Sequence, residues 1–309
     1  MTMPIKKSKF IWMDGEFVEW DNAKVHLLTH TLHYGAGVFE GIRCYATKKG
    51  SSIFRGLDHF KRLERSARAY FMKLSYSPEQ LLQVTKELIR KNELPSCYIR
   101  PLVVYGYGEM GVNPLKNPIN VSITVWEWGA YLGEEGLVKG IRVKTSSWMR
   151  IDPRILPTQA KACGNYMNSI LAKVEALKDG YDEAIMLNMN GFVVEGTGEN
   201  LFMVKDGVVY TPPLSSGCLP GITRDSVLQL CAKLGIPTKE TDLTRDMLLF
   251  ADEVFFTGTA AEITPIREID GRVIGSGTRG PITEKLQKKF FALAKREEDI
   301  FPEWHDMVD

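Results

Sequence analysis

Residues 184–210 read AIMLNMNGFVVEGTGENLFMVKDGVVY, in which apolar runs are joined by Asn-Gly and then by Asp-Gly. Both central positions of a tight hairpin turn need a positive φ, which asparagine, aspartate and glycine tolerate best. The stretch therefore predicts two consecutive β-hairpins. The same signal in WMDGEFVEW (12–20) and REIDGRVI (267–274) indicates that hairpins recur along the chain.

Helical patterns lie between these hairpins, over 58–74, 77–92, 165–179, 223–234 and 282–297. The second helix has the clearest start, because SPEQ offers Ser77 as N-cap and Gln80 three residues later. For the helix over 223–234, Thr223 is the expected N-cap. Without a steady alternation of strand and helix, the pattern predicts an α+β fold rather than a doubly wound parallel sheet.

A glycine-rich stretch at 128–136, WGAYLGEEG, separates two strand-like runs. We place the interdomain loop there. The predicted domains are a small N-terminal α+β domain over 1–127 and a larger C-terminal domain over 137–309.

Composition excludes several classes of function. The 309 residues are 44% hydrophobic and carry a formal net charge of +1, so no global field favours nucleic acid or an anionic membrane. No apolar run approaches membrane-spanning length, and the N-terminus lacks a signal-peptide core. The five cysteines show no CxxC pair, which is typical of reduced thiols in the cytoplasm rather than of disulfides or a zinc site.

Three histidines, His26, His30 and His33, have a spacing that would place them on one helix face as a metal site. Their segment, VHLLTHTLHYG, is not clearly helical and offers no carboxylate to orient the imidazoles. We therefore predict no metal. The glycines of HYGAGVFEG (33–41) do not fit the dinucleotide fingerprint and favour a closely packed turn.

Lys161 lies among small residues in AKACGNYMN (160–168). It is either a surface lysine at a helix entry or a Schiff-base lysine whose neighbours leave room for a flat cofactor. Glu195 follows a hairpin turn at a strand end. It is either solvated, paired with Glu199 as in a glycoside hydrolase, or directed into a cleft.

Anion sites are suggested at two turns and two arginines. LPGITRDSVLQL (219–230) leads from Pro-Gly into a helix N-terminus, and FFTGTAAEITP (255–265) turns through small residues after a strand, although many such turns bind nothing. Arg62 is either a surface charge on an amphipathic helix or a ligand for an anion. Arg100 lies in an apolar strand, where a buried arginine needs an anionic partner or ligand.

A lysine, a strand-end carboxylate and turns rich in N–H donors are together what pyridoxal phosphate needs: an amine for its aldehyde, an acceptor for its ring nitrogen and donors for its phosphate. The chain closely resembles the bacterial branched-chain amino acid aminotransferases of the fold-type IV pyridoxal-phosphate family. The resemblance covers nearly the whole chain and rests on an ordered series of motifs: HYGAGVFEGIRCY, YIRPLVVYG, WGAYLG, AKACGNY, EGTGENLF, LPGITRD and GTAAEITP.

The resemblance implies a two-domain fold of that family and a role for each matching residue. Lys161 would bind the cofactor covalently and carry protons, and Glu195 would bind the ring nitrogen. Tyr166 would contact the ring oxygen. The phosphate would be held by Arg62, the backbone of Ile222 and Thr223, and Thr259.

For the substrate, the resemblance implies that the Tyr98 hydroxyl and the Thr259 and Ala260 amides bind the α-carboxylate. An apolar pocket would be lined by Phe39, Trp128, Tyr131 and Tyr166, and Arg100 would reach the distal carboxylate of glutamate. The implied reaction is ping-pong transamination of leucine, isoleucine and valine with 2-oxoglutarate. Tyr34 and Val112 would come from a second subunit, which makes a homodimer the minimal unit and allows a hexamer.

Two alternatives share the same fold, a D-amino acid aminotransferase and an aminodeoxychorismate lyase. The motifs GVFEGIR and YIRP favour the branched-chain type over both. One departure from many relatives is Cys163, where they have glycine. It places a thiol near the expected cofactor and predicts modest sensitivity to oxidation at most.

Overall fold

A computed structural model describes residues 5–129 and 132–308. The chain divides into two compact units. The first comprises residues 1–128, 160–164 and 293–309, and the second comprises 129–159 and 165–292. Among the described residues, none of the helices has the length and apolar character needed to span a bilayer.

The strands of the first unit are β1 (Phe10–Met13), β2 (Glu16–Glu19), β3 (Gly37–Phe39), β4 (Ile42–Thr47), β5 (Gly50–Phe54), β6 (Cys97–Tyr105), β7 (Ile119–Trp126) and β17 (His305–Met307). Those of the second are β8 (Ile141–Thr145), β9 (Glu183–Leu187), β10 (Val193–Gly196), β11 (Asn200–Lys205), β12 (Val208–Thr211), β13 (Thr238–Glu240), β14 (Glu253–Gly258), β15 (Glu262–Ile269) and β16 (Arg272–Val273). The helices are α1 (His30–Tyr34), α2 (Gly56–Ala69), α3 (Pro78–Asn92), α4 (Glu134–Lys139), α5 (Tyr166–Lys178), α6 (Ile222–Lys233), α7 (Arg245–Leu249) and α8 (Pro281–Ala294).

The first unit is built on an antiparallel sheet in the order β17-β5-β4-β6-β7-β1-β2, with β3 added to β6. One buried apolar cluster includes Ile42 and Ile99 of the sheet, Phe60 of α2 and Leu88 of α3. The helices therefore cover the sheet and bury their apolar stripes against it.

The second unit contains a closed barrel. Its sheet runs β10-β9-β8-β15-β14-β11-β12-β13, and β10 also pairs with β11. That last pairing joins six strands into a ring, which removes the exposed edges of β10 and β11. Helix α5 packs on β9, and α6 packs on β14.

The prediction of an α+β fold is confirmed, and so are the hairpins. The turn between β11 and β12 has both residues at positive φ, Asp206 at 50° and Gly207 at 76°. In the turn between β9 and β10 only Gly191 has positive φ (82°). There the Asn188 side chain caps the turn instead, because its Oδ1 accepts hydrogen bonds from the amides of Asn190 and Phe192, both at 3.0 Å.

The division of the chain differs from the predicted domains in two places. The predicted C-terminal domain contained Lys161, whereas residues 160–164 group with the first unit because they bond to β3. Residues 293–309 also group there, because β17 pairs with β5. Neither pairing is visible in local sequence.

The predicted capping box at α3 is confirmed. Gln80 N donates to Ser77 Oγ (3.2 Å), and Ser77 N donates to Gln80 Oε1 (2.8 Å). We expect Ser77→Ala to lower the free energy of unfolding by about 1 kcal/mol, because it removes an N-cap acceptor. Urea unfolding followed by circular dichroism measures this. Ser75→Ala, two residues earlier and outside the cap, is the control, and an equal loss in both variants would contradict the assignment.

Candidate active site

Lys161 belongs to a short segment that lies against β3 in the first unit. Its carbonyl accepts a hydrogen bond from Phe39 N (3.0 Å), and its amide donates to Ser66 Oγ on α2 (3.1 Å). The next residue, Ala162, forms an antiparallel bridge with Val38. The backbone of the lysine is therefore fixed from two directions, and its side chain extends from a rigid base.

The small neighbours of Lys161 allow close packing of the backbone. A Cβ added to Gly37 would lie 3.2 Å from Cys163 Sγ, and one added to Gly35 would lie 3.7 Å from Gly164 Cα. Packing of the segment onto the start of β3 thus accounts for the small side chains around Lys161. Whether these small residues also admit a flat cofactor is not tested by this geometry, so that part stays a prediction.

Cys163 lies beside this lysine, and burial raises the pKa of its thiol above the ordinary value. Because the thiolate is the form that reacts with peroxide, we expect inactivation by peroxide to be at most about twofold faster in the parent than in Cys163→Ala. Residual activity after timed exposure measures the ratio. Several-fold protection by the substitution would show that the thiol is reactive.

An aromatic wall stands next to the lysine. Lys161 Nζ lies 5.0 Å from the centroid of the Phe39 ring. The guanidinium of Arg100 lies 4.9 Å from the same centroid and 5.4 Å from that of Tyr98. Trp128 packs edge-on against Tyr98, with centroids 4.5 Å apart. A lysine and an arginine of the first unit therefore lie next to the same ring, that of Phe39, and Tyr98 and Trp128 continue the aromatic wall beside Arg100.

Arg100 is half-buried on β6, and its Nε is buried. Among the described residues, this Nε has no hydrogen-bond acceptor. A buried charged donor that lacks an acceptor is costly, so the geometry favours an anionic ligand that supplies one. The sequence-based expectation of an anion at Arg100 stays a prediction.

Arg62 is buried rather than on the surface, and its partner is a carboxylate that was not among the predicted site residues. Arg62 Nε donates to Glu40 Oε1 (2.7 Å) and Nη2 donates to Oε2 (2.8 Å), while His59 Nδ1 lies 2.8 Å from Oε2. Burial raises the pKa of Glu40, but Arg62 and His59 outweigh burial and hold that pKa well below its usual range. Burial also lowers the pKa of His59. The only local signal for this network was an acidic residue, Glu40, within an apolar strand-like run.

In the second unit, Glu195 is buried at the end of β10 and is not solvated. Its Oε1 lies 2.7 Å from Arg150 Nε. Its Oε2 accepts hydrogen bonds from Leu219 N (3.0 Å) and from Asn200 Nδ2 (3.4 Å). Arg150 and Asn200 were not predicted as site residues, and no local pattern marks them.

Helix α6 begins one residue earlier than predicted. Its N-cap is Gly221, so Thr223 lies in the first turn and the expectation that Thr223 caps the helix is wrong. A Cβ added to Gly221 would lie 1.9 Å from Asn200 Oδ1, so glycine is required for the close approach. The first amides of α6, those of Ile222 and Thr223, start a helix of 12 residues, where N–H groups and the helix dipole favour an anion.

Strand register relates these groups to the turn that carries Thr259 and Ala260. Glu195 pairs with Asn200 across β10 and β11, and Asn200 pairs with Thr257 across β11 and β14. The turn that follows β14 therefore extends from the same row of the barrel as Glu195. The second unit thus brings the carboxylate, the start of α6 and this turn to neighbouring strands.

A second buried carboxylate, Glu199, lies close enough to Glu195 for the charge of Glu195 to be among the causes that raise its pKa. Its Oε2 accepts from Gly198 N (3.0 Å). Nearby Glu183 binds Lys173 Nζ (2.7 Å) and the Thr197 hydroxyl (2.7 Å). Burial and then the charge of Glu183 raise the pKa of Glu199 to about 8.

The raised pKa of Glu199 predicts that the free energy of unfolding depends on pH. An unfolded glutamate has a pKa of about 4.3, so between there and about pH 8 the native chain holds a proton that the unfolded chain has lost. The stabilisation is complete below about pH 4.3 and disappears as pH rises through about 8, with a slope of at most about 1.4 kcal/mol per pH unit. We expect Glu199→Gln to flatten the decline between pH 6 and 8 in urea unfolding. Glu87→Gln, on the exposed face of α3, should keep the parent's dependence of the free energy of unfolding on pH. A parent whose free energy of unfolding does not change between pH 6 and 8 would contradict the assignment.

The other predicted residues are placed as follows. Tyr166 is the first residue of α5. Tyr34 and Val112 are exposed, at 47% and 86%. Tyr131 lies outside the described residues.

A ring nitrogen of each of the three histidines contacts a backbone atom. His30 Nε2 lies 2.7 Å from Gly111 O, and His33 Nε2 lies 3.0 Å from Leu27 O. His26 Nδ1 accepts from Leu28 N at 3.1 Å.

Known proteins match this chain over its length. The family model for class IV aminotransferases matches residues 37–269. The branched-chain-amino-acid aminotransferase of Pseudomonas aeruginosa is 51% identical over 298 residues, which cover 96% of this chain and 97% of that protein. The crystal structure of the Escherichia coli branched-chain amino acid aminotransferase has a TM-score of 0.96 at 50% identity, covering 98% of this chain and 100% of that one.

A third match is a crystal structure of the T.th. branched-chain amino acid aminotransferase complexed with N-(5′-phosphopyridoxyl)-L-glutamate. It has a TM-score of 0.94 at 47% identity, covering 98% of this chain and 99% of that one. The family model alone spans well over half of the chain, and the full-length relatives agree with it. The chain therefore belongs to the class IV aminotransferases.

Proposed function

We propose that this chain is a branched-chain amino acid aminotransferase that transfers the amino group of L-leucine, L-isoleucine or L-valine to 2-oxoglutarate with pyridoxal phosphate, and that it runs the reverse reaction. The observation that carries the proposal is the aromatic wall shared by Lys161 and Arg100. A transaminase accepts an aliphatic and an acidic side chain in turn. Aromatic rings suit the first, and a guanidinium among them suits the second.

The residues present fit the cofactor. In the second unit, the buried carboxylate of Glu195 is an acceptor for a ring nitrogen, and the first amides of the 12-residue helix α6 are donors for a phosphate. When bound, pyridoxal phosphate supplies an aldehyde that takes the amino group and a ring that accepts an electron pair. The T.th. relative was solved with a phosphopyridoxyl compound, which supports the same assignment.

Each residue then has a role of its own. Lys161 Nζ would hold the aldehyde carbon and, once the substrate amine displaces it there, would move a proton to and from the substrate Cα. Glu195 would keep the proton on the ring nitrogen. Tyr166 would contact the ring oxygen. The phosphate would be held by Arg62, the amides of Ile222 and Thr223, and Thr259.

The substrate is held at its two ends. The substrate α-carboxylate accepts hydrogen bonds from the amides of Thr259 and Ala260 and from the Tyr98 hydroxyl. The distal carboxylate of glutamate pairs with Arg100. The aliphatic side chain contacts the rings of Phe39, Trp128, Tyr131 and Tyr166. One methylene in such a pocket is worth about 1–3 kcal/mol, so discrimination among leucine, isoleucine and valine is expected to be weak.

A homodimer is the smallest active form in this proposal. The segments that carry Tyr34 and Val112 contact each other, because His30 Nε2 lies 2.7 Å from Gly111 O. Both segments expose apolar side chains, among them Leu27 (77%), Leu32 (60%), Val112 (86%) and Leu115 (64%). A surface of this kind is typical of an interface. Light scattering of the parent and of Val112→Asp tests it, and a fully active monomer would overturn it.

The cytoplasm is the proposed compartment. All five cysteines are free, and four of them are buried: Cys44, Cys97, Cys218 and Cys231. Such thiols persist in a reducing environment.

The visible absorption spectrum of the purified protein, before and after L-leucine alone, tests the function. The pyridoxal band should give way to the pyridoxamine band, and 2-oxoglutarate should restore it. A yellow protein that ignores L-leucine but responds to D-alanine would make it a D-amino acid aminotransferase, and release of pyruvate from aminodeoxychorismate would make it a lyase. A protein that cannot be reconstituted with pyridoxal phosphate would overturn the proposal.

A further inference from the structure

Arg150 is a buried arginine to which the proposed reaction gives no role. It lies beyond β8, and its amide donates to Leu187 O on β9 (2.8 Å). The residues on both sides are tied to Asn168 of α5, which accepts from Ile151 N (3.1 Å) and donates to Met149 O (2.9 Å). The backbone at Arg150 is therefore anchored to a strand and to a helix, and its side chain starts from a fixed point.

The side chain of Arg150 reaches Glu195. Nε lies 2.7 Å from Glu195 Oε1 as an ion pair without a hydrogen bond, since neither Nε nor Nη1 of Arg150 has a hydrogen-bond partner among the described residues, and the two side chains are only 8% and 6% exposed. Burying such a pair costs desolvation free energy that hydrophobic residues of similar size would not cost. A buried pair is therefore weak evidence for a purely stabilising role, and the placement of a positive charge beside Glu195 needs another reason.

The carboxylate of Glu195 is held on both oxygens. Arg150 occupies one side of Oε1, while Leu219 N and Asn200 Nδ2 occupy Oε2. Only the Arg150 contact carries a positive charge, since the other two donors are neutral amides. Without it, Glu195 would be a buried anion with neutral partners, and such a group either takes up a proton or turns towards water.

We propose that Arg150 is a positioning residue, which fixes the Glu195 carboxylate and balances its charge so that this carboxylate can accept a hydrogen bond from the ring nitrogen of pyridoxal phosphate. The inference rests on the proposed function, because Glu195 is the ring partner only there. Arg150 acts through Glu195 and touches neither substrate nor cofactor.

A binding comparison tests this role apart from activity. The dissociation constants of pyridoxal phosphate and of its analogue with carbon in place of the ring nitrogen are measured on the apoprotein by fluorescence quenching. The parent should bind pyridoxal phosphate about 10-fold to 100-fold more tightly than the analogue, as expected for one charged hydrogen bond. In Arg150→Met this ratio should fall to within about threefold of one, and in Arg150→Lys, which restores the charge, it should recover in part.

The control is Arg142→Met, which removes another arginine of the same unit from an ion pair, with Glu268 (2.9 Å). It should keep the parent's ratio. If Arg150→Met lowers both affinities equally and keeps the ratio, Arg150 is a packing residue and the inference is overturned. If the parent itself does not distinguish the two compounds, the role of Glu195 in the proposed function fails first. Should Arg150→Met not fold, Arg150→Gln, which keeps a donor but no charge, is judged by the same ratio.

Discussion

Replacing Lys161 by alanine is expected to lower kcat/KM for L-leucine by about 10⁴-fold, the upper end of what one positioned proton-transfer group contributes. The loss is large because the other cation next to Phe39 is the guanidinium of Arg100, which is not a primary amine that can bind an aldehyde carbon. Its backbone bonds to Phe39 and Ser66 do not depend on the side chain, so the fold should persist. Single-turnover formation of 4-methyl-2-oxopentanoate from L-leucine measures the loss without an acceptor substrate.

Lys61→Ala is the matched control for this substitution. Lys61 is an exposed lysine of the same unit, one residue before Arg62 on α2, and its removal should leave kcat/KM unchanged. Circular dichroism checks that both variants fold. A Lys161→Ala protein within tenfold of the parent would remove this lysine from the mechanism.

Glu40→Gln is expected to lower the free energy of unfolding by about 3–5 kcal/mol, the usual effect of removing one partner of a buried ion pair. Glu40 is fully buried, and its carboxylate is shared by Arg62 and His59. The glutamine keeps the shape but leaves the guanidinium of Arg62 without a counter-charge. Urea unfolding at pH 7 measures the loss.

The same network makes a prediction about acid. Arg62 and His59 hold the pKa of Glu40 below that of an unfolded glutamate, about 4.3. Its stabilisation is therefore present above about pH 4.3 and disappears as pH falls through the native pKa. Between about pH 4.3 and the native pKa, the free energy of unfolding should fall more steeply with falling pH in the parent than in Glu40→Gln. The measurement is urea unfolding at a series of pH values below about 4.3. Glu93→Gln, which breaks an exposed pair with Lys9, should leave the urea midpoint at each pH unchanged. A change in the urea midpoint equal to that of Glu40→Gln would contradict the argument.

The hairpins and helices were predictable because their signals are local. An Asp-Gly turn such as 206–207 fixes its own dihedral angles, and the capping box at Ser77 satisfies its own amides within four residues. The motif resemblance, in its turn, identified the family before any geometry was known. The shift of the N-cap of α6 from Thr223 to Gly221 shows the limit, because either residue type can begin a helix.

The partners of the candidate site residues were not predictable in the same way. Glu40 and Arg62 are 22 residues apart, and both belong to patterns that read as ordinary strand and helix. Arg150 meets Glu195 only because β8, β9 and β10 are neighbours in a closed barrel. Contacts between distant segments depend on topology, and neither composition nor periodicity encodes which charges will meet.

The pairing of β17 with β5 bears on how the protein folds during synthesis. Strand β5 ends at residue 54, but its outer neighbour is not made until residue 307, so for most of translation this edge has open N–H and C=O groups. An open edge invites pairing with another nascent chain. On one polysome, many such edges are present at once. Slower elongation after residue 54 should therefore increase aggregation, and a chaperone that shields β5 until the last strand emerges should suppress it.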